Sequence, residues 1–135
     1  MTLALGIDPG TATTGYGLVR LTRDGDLVAV KYGVILTPKD DSPPARLEMI
    51  YDQLCDIIRE CKPDTAAVEK LFFSRNVTTA LAVGQARGVV MLALQKAGIE
   101  AFEYTPKEIK NAVAGYGGGS RVIERKPPKR EPPEL

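Results

Sequence analysis

The sequence predicts one α/β domain in which a five-stranded mixed sheet is flanked by helices. Three observations support this fold class. Apolar, β-branched runs open the chain, an amphipathic helical pattern follows, and short apolar runs then alternate with helical segments. With 135 residues, of which 44% are hydrophobic, the chain can build one ordinary core. The predicted order of elements is β-β-β-α-β-α-β-α.

The first three predicted strands form an antiparallel meander. They are LALGID, YGLVRLT and LVAVKYGVIL, and the Asp24-Gly25 pair between the second and third is a hairpin signal. TAAVEK predicts the fourth strand and IEAFEYT the fifth. Because helical crossovers join parallel strands, we expect strands one, four and five to run parallel.

Helical periodicity predicts three helices. Apolar residues at i, i+3 and i+4 spacing mark the first in PPARLEMIYDQLCDIIREC, which two prolines open. Cys55 and Cys61 fall on its apolar face, where we expect small core residues with reduced thiols. A second, buried helix is predicted from about Val77 to Ala97 because its sequence is nearly apolar on all sides after Gly88. TPKE is a capping box that opens a third helix.

A change in composition divides the chain near residue 118. Residues 1–118 carry the fold pattern, whereas residues 119–135 are rich in proline, lysine and arginine, which predicts a disordered and locally basic tail. The formal net charge of the chain is only +1, so the overall charge favours no class of partner. The sequence shows neither an apolar run long enough to span a membrane nor a leader pattern, and we expect a cytoplasmic protein.

Two acidic residues end predicted strands of the same sheet. Asp8 ends strand one just before Pro9 and Gly10, and Glu69 ends strand four. Sites in such sheets form beyond the carboxyl ends of the strands, so neighbouring strands would bring both carboxylates together. Alone, Asp8 could be an Asx-turn residue and Glu69 a surface charge. Together they favour a metal site, since two adjacent carboxylates repel unless a cation lies between them.

The available side chains restrict the chemistry of such a site. Carboxylate oxygens suit Mg²⁺ or Mn²⁺, and the absence of histidine argues against zinc and against imidazole base catalysis. Metal-activated water then remains as the route to hydrolysis at neutral pH. The GIDPGT turn also resembles the phosphate loop of actin-like and sugar-kinase ATPases, which leaves nucleotide binding as an alternative.

The segment after Glu69 carries two adjacent aromatic residues in a predicted loop. AVEKLFFSRN places Phe72 and Phe73 beside Arg75 and Asn76. Either ring could pack against the start of the next helix. Alternatively, the rings and the neighbouring cation form a stacking or wedge element that holds unpaired bases.

Four segments in order resemble the RuvC family of Holliday junction resolvases, namely GIDPGTATTGYGLV, AVEKLFF, ALAVGQARGVVMLAL and FEYTPKEIKNAVAGYG. The resemblance covers residues 3 to about 118. It implies a ribonuclease-H-like fold and a metal-dependent endonuclease that acts on four-way DNA junctions in recombination and repair. It also implies a homodimer and, as a further partner, a branch-migration helicase complex.

The resemblance assigns roles to individual residues. Asp8 and Glu69 match two catalytic, metal-binding carboxylates, and Phe72 matches an aromatic residue at the branch point of the junction. Lys110 matches a basic residue near the scissile phosphate. Lys107 is close to Lys110 in sequence and either joins the same basic patch or lies on a solvated helix face.

The resemblance also bears on three further residues. Arg121 stands near the position of the family's second basic residue. Gly84 and Gly88 lie in the GQARG helix, which we expect to form part of the dimer contact. Two glycines at i and i+4 let a second backbone approach closely.

After GYG the sequence departs from the family pattern, which continues with a final helix that supplies two further aspartates. GGSRVIERKPPKREPPEL offers no matching helix, and a truncation, a shifted reading frame or a lineage-specific end would each account for it. Three hypotheses therefore stay open. They are an active resolvase, a junction-binding protein that does not cut, and an actin-like nucleotide-binding fragment.

Overall fold

Six strands in one sheet and two helices make up the described part of the chain. The computed structural model describes residues 2–69, 77–104 and 122–123. The elements are β1 (Thr2–Asp8), β2 (Thr13–Leu21), β3 (Leu27–Leu36), α1 (Pro43–Cys61), β4 (Thr65–Glu69), α2 (Val77–Lys96), β5 (Ala101–Tyr104) and β6 (Val122–Ile123). Their order across the sheet is β5-β4-β1-β2-β3-β6.

The mixed sheet confirms the predicted α/β class. β1, β2 and β3 form the antiparallel meander, and β4 and β5 extend it with strands parallel to β1. The turn between β2 and β3 uses the predicted glycine, since Gly25 has a φ of 83°, a conformation that other residues rarely adopt. The third helix, expected after TPKE, lies outside the described residues.

A sixth strand lies in the segment that composition predicts to be disordered. Val122 and Ile123 pair in parallel with Leu27 and Val28 of β3. These two residues form a short strand, and the expectation of disorder for the 119–135 tail as a whole stays a prediction. They are adjacent β-branched apolar residues in a polar tail, and β3 offers them an open edge of unpaired backbone groups. The other residues of the 119–135 tail are outside the described part of the chain.

The core lies between one face of the sheet and the two helices. Side chains of alternating strand positions pack against three residues of α1 and four of α2. They are Leu5, Ile7, Leu18, Ile35, Ala66 and Val68 from the sheet, Ile50, Leu54 and Ile58 from α1, and Ala86, Val90, Ala93 and Leu94 from α2.

Cys55 and Cys61 are free thiols that pack at the margin of this core, as predicted. Burial raises the pKa of the Cys61 thiol, which favours the unreactive protonated form.

Helix α2 is buried on one side only, so the prediction of a fully buried helix is wrong. Its inner side carries Ala86 and Val90, which are completely buried. Its outer side exposes Leu81 at 65% and Leu92 at 53%. The sheet and α1 cover the inner side, whereas no described element covers the outer one. Within the described ranges, neither helix is long and apolar enough to cross a membrane.

Candidate active site

The strand order brings Asp8 and Glu69 to the same edge of the sheet. β1 and β4 are parallel neighbours, and Ile7 is paired with Val68. The side chains of Ile7 and Val68 are buried on the face that the helices cover. Because successive strand residues point to opposite faces, the next residues, Asp8 and Glu69, share the other face. The condition on which the candidate site depended, that the two strands are neighbours, is therefore met.

The two carboxyl groups interact directly. The pKa of Glu69 is raised above its ordinary value by burial of its carboxyl group, by a hydrogen bond with the Asp8 carboxyl and by the negative charge of Asp8. Glu69 is half-buried, whereas Asp8 is exposed to solvent. Two such groups cannot both ionise without cost, and either a proton or a cation between them relieves the repulsion.

The donor set of this pair fits a hard divalent cation. Both ligands are carboxylate oxygens, which Mg²⁺ and Mn²⁺ prefer, and the exposure of Asp8 leaves room for the water ligands that Mg²⁺ retains. Among residues 2–69, 77–104 and 122–123, no cluster of three or more acidic, cysteine or histidine side chains could hold a metal ion. In the described part of the chain, the candidate site is therefore this pair.

The turn after Asp8 is closed by Thr14, which sequence analysis did not single out. The completely buried Thr14 hydroxyl donates to the Gly10 carbonyl at 2.6 Å and accepts from the Gly10 amide at 3.3 Å. A Cβ atom at Gly10 would lie 2.3 Å from the Thr13 carbonyl oxygen, so only glycine fits. Since Thr14 makes the turn's side-chain hydrogen bonds, the alternative of Asp8 as an Asx-turn residue has no support among the described contacts.

The same turn is tied to both helices through Thr11. The Thr11 hydroxyl donates to the Ala82 carbonyl of α2 at 3.2 Å. The Thr37 hydroxyl donates to the Thr11 carbonyl at 2.6 Å and accepts from Arg46 Nε of α1 at 2.9 Å. No sequence motif signals these contacts, because they join residues from separate elements.

A second link joins α2 to the sheet beside Glu69. Arg87 Nη2 of α2 forms an ion pair with Glu103 of β5, and Glu103 is paired in the sheet with Val68, the residue before Glu69. The Arg87 side chain is 19% exposed, and its Nε is buried with no hydrogen-bond partner among the described residues. Arg87 falls within the predicted GQARG segment, but its partner on β5 could not be read from the sequence.

Six candidate residues lie outside the described part of the chain. They are Phe72, Phe73, Arg75, Lys107, Lys110 and Arg121. Phe72, Phe73 and Arg75 belong to the segment that begins directly after Glu69. Lys107 and Lys110 belong to the segment that begins directly after Tyr104, which is paired with Glu69 in the sheet. These two segments therefore start at the end of the sheet that carries the two carboxylates.

Comparisons with known proteins agree on one family. A family model described as Crossover junction endodeoxyribonuclease RuvC matches residues 4–122. The crossover junction endodeoxyribonuclease RuvC of Chloroflexus aggregans is 56% identical over 119 residues, which cover 87% of this chain and 71% of that relative. Its counterpart in Chloroflexus aurantiacus is 54% identical over 118 residues, with the same coverage of 87% and 71%.

A solved structure supports the same assignment at the level of the fold. T. thermophilus RuvC in complex with Holliday junction substrate superimposes with a TM-score of 0.78 at 28% sequence identity. The match covers 93% of this chain and 73% of that one. The ribonuclease-H-like class is thereby confirmed, and the nucleotide-binding alternative gains no support. The chain belongs to the RuvC family of crossover junction endodeoxyribonucleases.

Proposed function

We propose that this protein is a metal-dependent endonuclease that resolves four-way DNA junctions in recombination and repair. The observation that carries the proposal is the pair of carboxyl groups at the sheet edge, where Asp8 raises the pKa of Glu69. This arrangement favours a divalent cation as the compensating charge. The RuvC relatives and the T. thermophilus complex with a Holliday junction point to the same reaction and substrate.

Asp8 and Glu69 are proposed to hold Mg²⁺ or Mn²⁺ through their carboxylate oxygens. When bound, the cation supplies a Lewis acid that lowers the pKa of water and neutralises charge on the phosphate. Glu69 has to lose its proton before both carboxylates can act as ligands, since the hydrogen bond with Asp8 stabilises the protonated form. The half-burial of Glu69 limits hydration around it and strengthens its attraction to a cation.

The DNA contacts are proposed to come from the two segments that leave the sheet beside this pair. Phe72 would stack at the branch point, with Phe73 next to it and Arg75 close to the phosphates. Lys107 and Lys110 would bind phosphates near the cleaved bond. Arg121 directly precedes β6, on the far side of β3 from the carboxylate pair, and its DNA contact is proposed from the family resemblance alone. Cationic side chains next to an aromatic stack match the chemistry of unpaired bases on a charged backbone.

Helix α2 is proposed to form the contact of a homodimer. Its outer side carries the exposed Leu81 and Leu92, and Gly84 and Gly88 lie between them. Apart from chain neighbours and the backbone of α2 itself, no atom of the described residues lies within 4 Å of a Cβ built at either glycine, so a second backbone could approach there. A two-fold dimer would present two carboxylate pairs to a junction, as symmetric cleavage requires. A branch-migration helicase partner and a cytoplasmic location are proposed from the family alone.

A cleavage assay on a labelled four-way junction tests this function. The full chain is incubated with the junction, and with a linear duplex of the same arm sequence, in Mg²⁺, in Mn²⁺ and in EDTA. We expect paired nicks at the junction that need the metal and do not appear on the duplex. Asp8→Asn and Glu69→Gln should abolish cleavage and leave junction binding nearly unchanged, because each removes a metal ligand but little packing.

Glu48→Gln is the matched control for these variants. Glu48 is an exposed carboxylate on α1, outside the strands that carry the pair, and its substitution should change nothing. Cleavage by Asp8→Asn or Glu69→Gln at the wild-type rate would contradict the site. Binding without cleavage by the wild-type chain would support the alternative of a junction-binding protein.

A further inference from the structure

Besides the hydrogen bond from the Thr37 amide to the Ala12 carbonyl at 3.2 Å, the turn that follows Asp8 is anchored at Thr11. Its carbonyl oxygen accepts from the Thr37 hydroxyl at 2.6 Å, and its own hydroxyl donates to the Ala82 carbonyl at 3.2 Å. The first contact connects the turn to the end of β3, and the second connects it to α2. Thr37 is 8% exposed, so the first contact is shielded from water.

The position of this anchor matters because the backbone of Asp8 is otherwise held, among the described residues, only from one side, by its pairing with Gly15 of β2. Asp8 is the last residue of β1, its side chain is exposed, and the like charge of Glu69 repels it. The contacts between Thr14 and Gly10 close the turn upon itself and do not connect it to a helix. The Thr11 hydroxyl does make that connection, because Ala82 lies within a regular helix whose inner side is packed in the core.

We propose that the Thr11 hydroxyl is a positioning group for the metal site, which fixes the turn after Asp8 to α2 and thereby keeps the Asp8 carboxylate next to Glu69. This inference rests on the proposed function, since it assumes that the two carboxylates bind a cation. Without the contact to Ala82, the turn can relax away from α2 and the repulsion between the carboxylates can separate them. A wider pair binds a small divalent cation less tightly.

Two substitutions at Thr11 separate the hydroxyl contact from packing. Thr11→Val keeps the branched shape and the backbone carbonyl that Thr37 binds, but it removes the donor to Ala82. Thr11→Ser keeps the donor and removes a methyl group. Thr13→Val is the matched control, because Thr13 is an exposed threonine of the same region whose hydroxyl makes no hydrogen bond with the described residues.

The measurement is Mn²⁺ affinity of the full chain, followed by the electron paramagnetic resonance signal of free Mn²⁺. Asp8→Asn defines the affinity without the site, and thermal melts in EDTA monitor folding. We expect Thr11→Val to weaken Mn²⁺ binding by roughly tenfold, the lower end of the range for groups that orient metal ligands. Thr11→Ser and Thr13→Val should bind Mn²⁺ as the wild type does.

Every other outcome contradicts either the metal site or the role of Thr11. Equal Mn²⁺ affinity of the wild type and Asp8→Asn would contradict the proposed metal site itself, and with it the proposed function. If Asp8→Asn binds less Mn²⁺ and Thr11→Val binds as the wild type does, only the role of Thr11 is overturned. An equal loss in Thr11→Ser or in Thr13→Val would also overturn it, because neither change removes the bond to Ala82. A lowered melting temperature of Thr11→Val with normal Mn²⁺ affinity would show a purely structural contact.

Discussion

Asp8 and Glu69 end two neighbouring parallel strands, where burial and the adjacent Asp8 carboxyl raise the pKa of Glu69. An acid at the end of either strand does not stabilise the fold, since acidic residues are disfavoured in strands and burying a carboxylate costs free energy. The pair therefore costs the metal-free protein stability, and the cation proposed to bind there would restore it.

The first prediction concerns pH. The folded-state pKa of Glu69 is raised above its ordinary value of 4.5, so the folded protein binds this proton more tightly than the unfolded chain does. This contribution to the free energy of unfolding is complete below about pH 4.5 and is lost as the pH rises through the folded-state pKa. Urea unfolding in EDTA should show this decline in the wild type and a smaller one in Glu69→Gln. Matching pH profiles of the two proteins would contradict the direct interaction.

The second concerns Phe72. If its ring stacks at the branch point, Phe72→Ala should slow junction cleavage by the equivalent of one lost base stack, about 1–3 kcal/mol or roughly 5- to 150-fold. The melting temperature should hardly change. Phe73→Ala is the comparison, and we expect it to affect stability more than cleavage. A large fall in melting temperature with unaltered cleavage in Phe72→Ala would assign that ring to packing instead.

The third concerns the ion pair between Arg87 and Glu103. The two side chains are 19% and 43% exposed, so solvent screens their attraction. A double-mutant cycle with Arg87→Met and Glu103→Gln, followed by urea unfolding, should give a coupling energy of at most about 1 kcal/mol. A coupling several times larger would mean that the pair is desolvated and holds β5 against α2 much more strongly than its exposure indicates.

The fourth concerns the outer side of α2. Leu81→Glu places a charge on the proposed dimer contact, and it should convert the dimer to a monomer in sedimentation experiments without unfolding it, since Leu81 is 65% exposed. Val30→Glu, at a 36% exposed apolar residue of β3, is the matched control and should leave the dimer intact. Dimers that persist in Leu81→Glu, or a wild type that is monomeric at all concentrations, would remove α2 from the interface.

Gly88 gives an independent check of the same surface. In the monomer, Gly88→Ala should raise stability by about 0.5–1 kcal/mol, because alanine restricts the unfolded chain and its Cβ would meet no atom of another described element within 4 Å. In the dimer, the added methyl group should weaken association. A Gly88→Ala protein that is more stable and equally dimeric would place the interface elsewhere.

The sequence by itself determined the local elements and the identity of the two acids. The period-2 runs of β1 to β3, the Asp24-Gly25 turn and the periodicity of α1 from Pro43 to Cys61 are local signals, and local signals survive in the fold when packing agrees with them. Asp8 and Glu69 were recognisable because an acid at the end of an apolar strand needs a partner. Their place at one sheet edge then followed from the parallel crossover rule.

Tertiary structure decided what lies between the elements. The outer side of α2 carries the apolar residues Leu81 and Leu92, so its sequence resembles that of the buried side. Only the position of the sheet reveals which side of the helix is covered. The bond from Thr11 to Ala82 and the ion pair of Arg87 with Glu103 join residues that share no periodicity or motif. Such contacts depend on how the helix crosses the sheet, and the free energy that sets this crossing is spread over the whole core rather than encoded in any short segment.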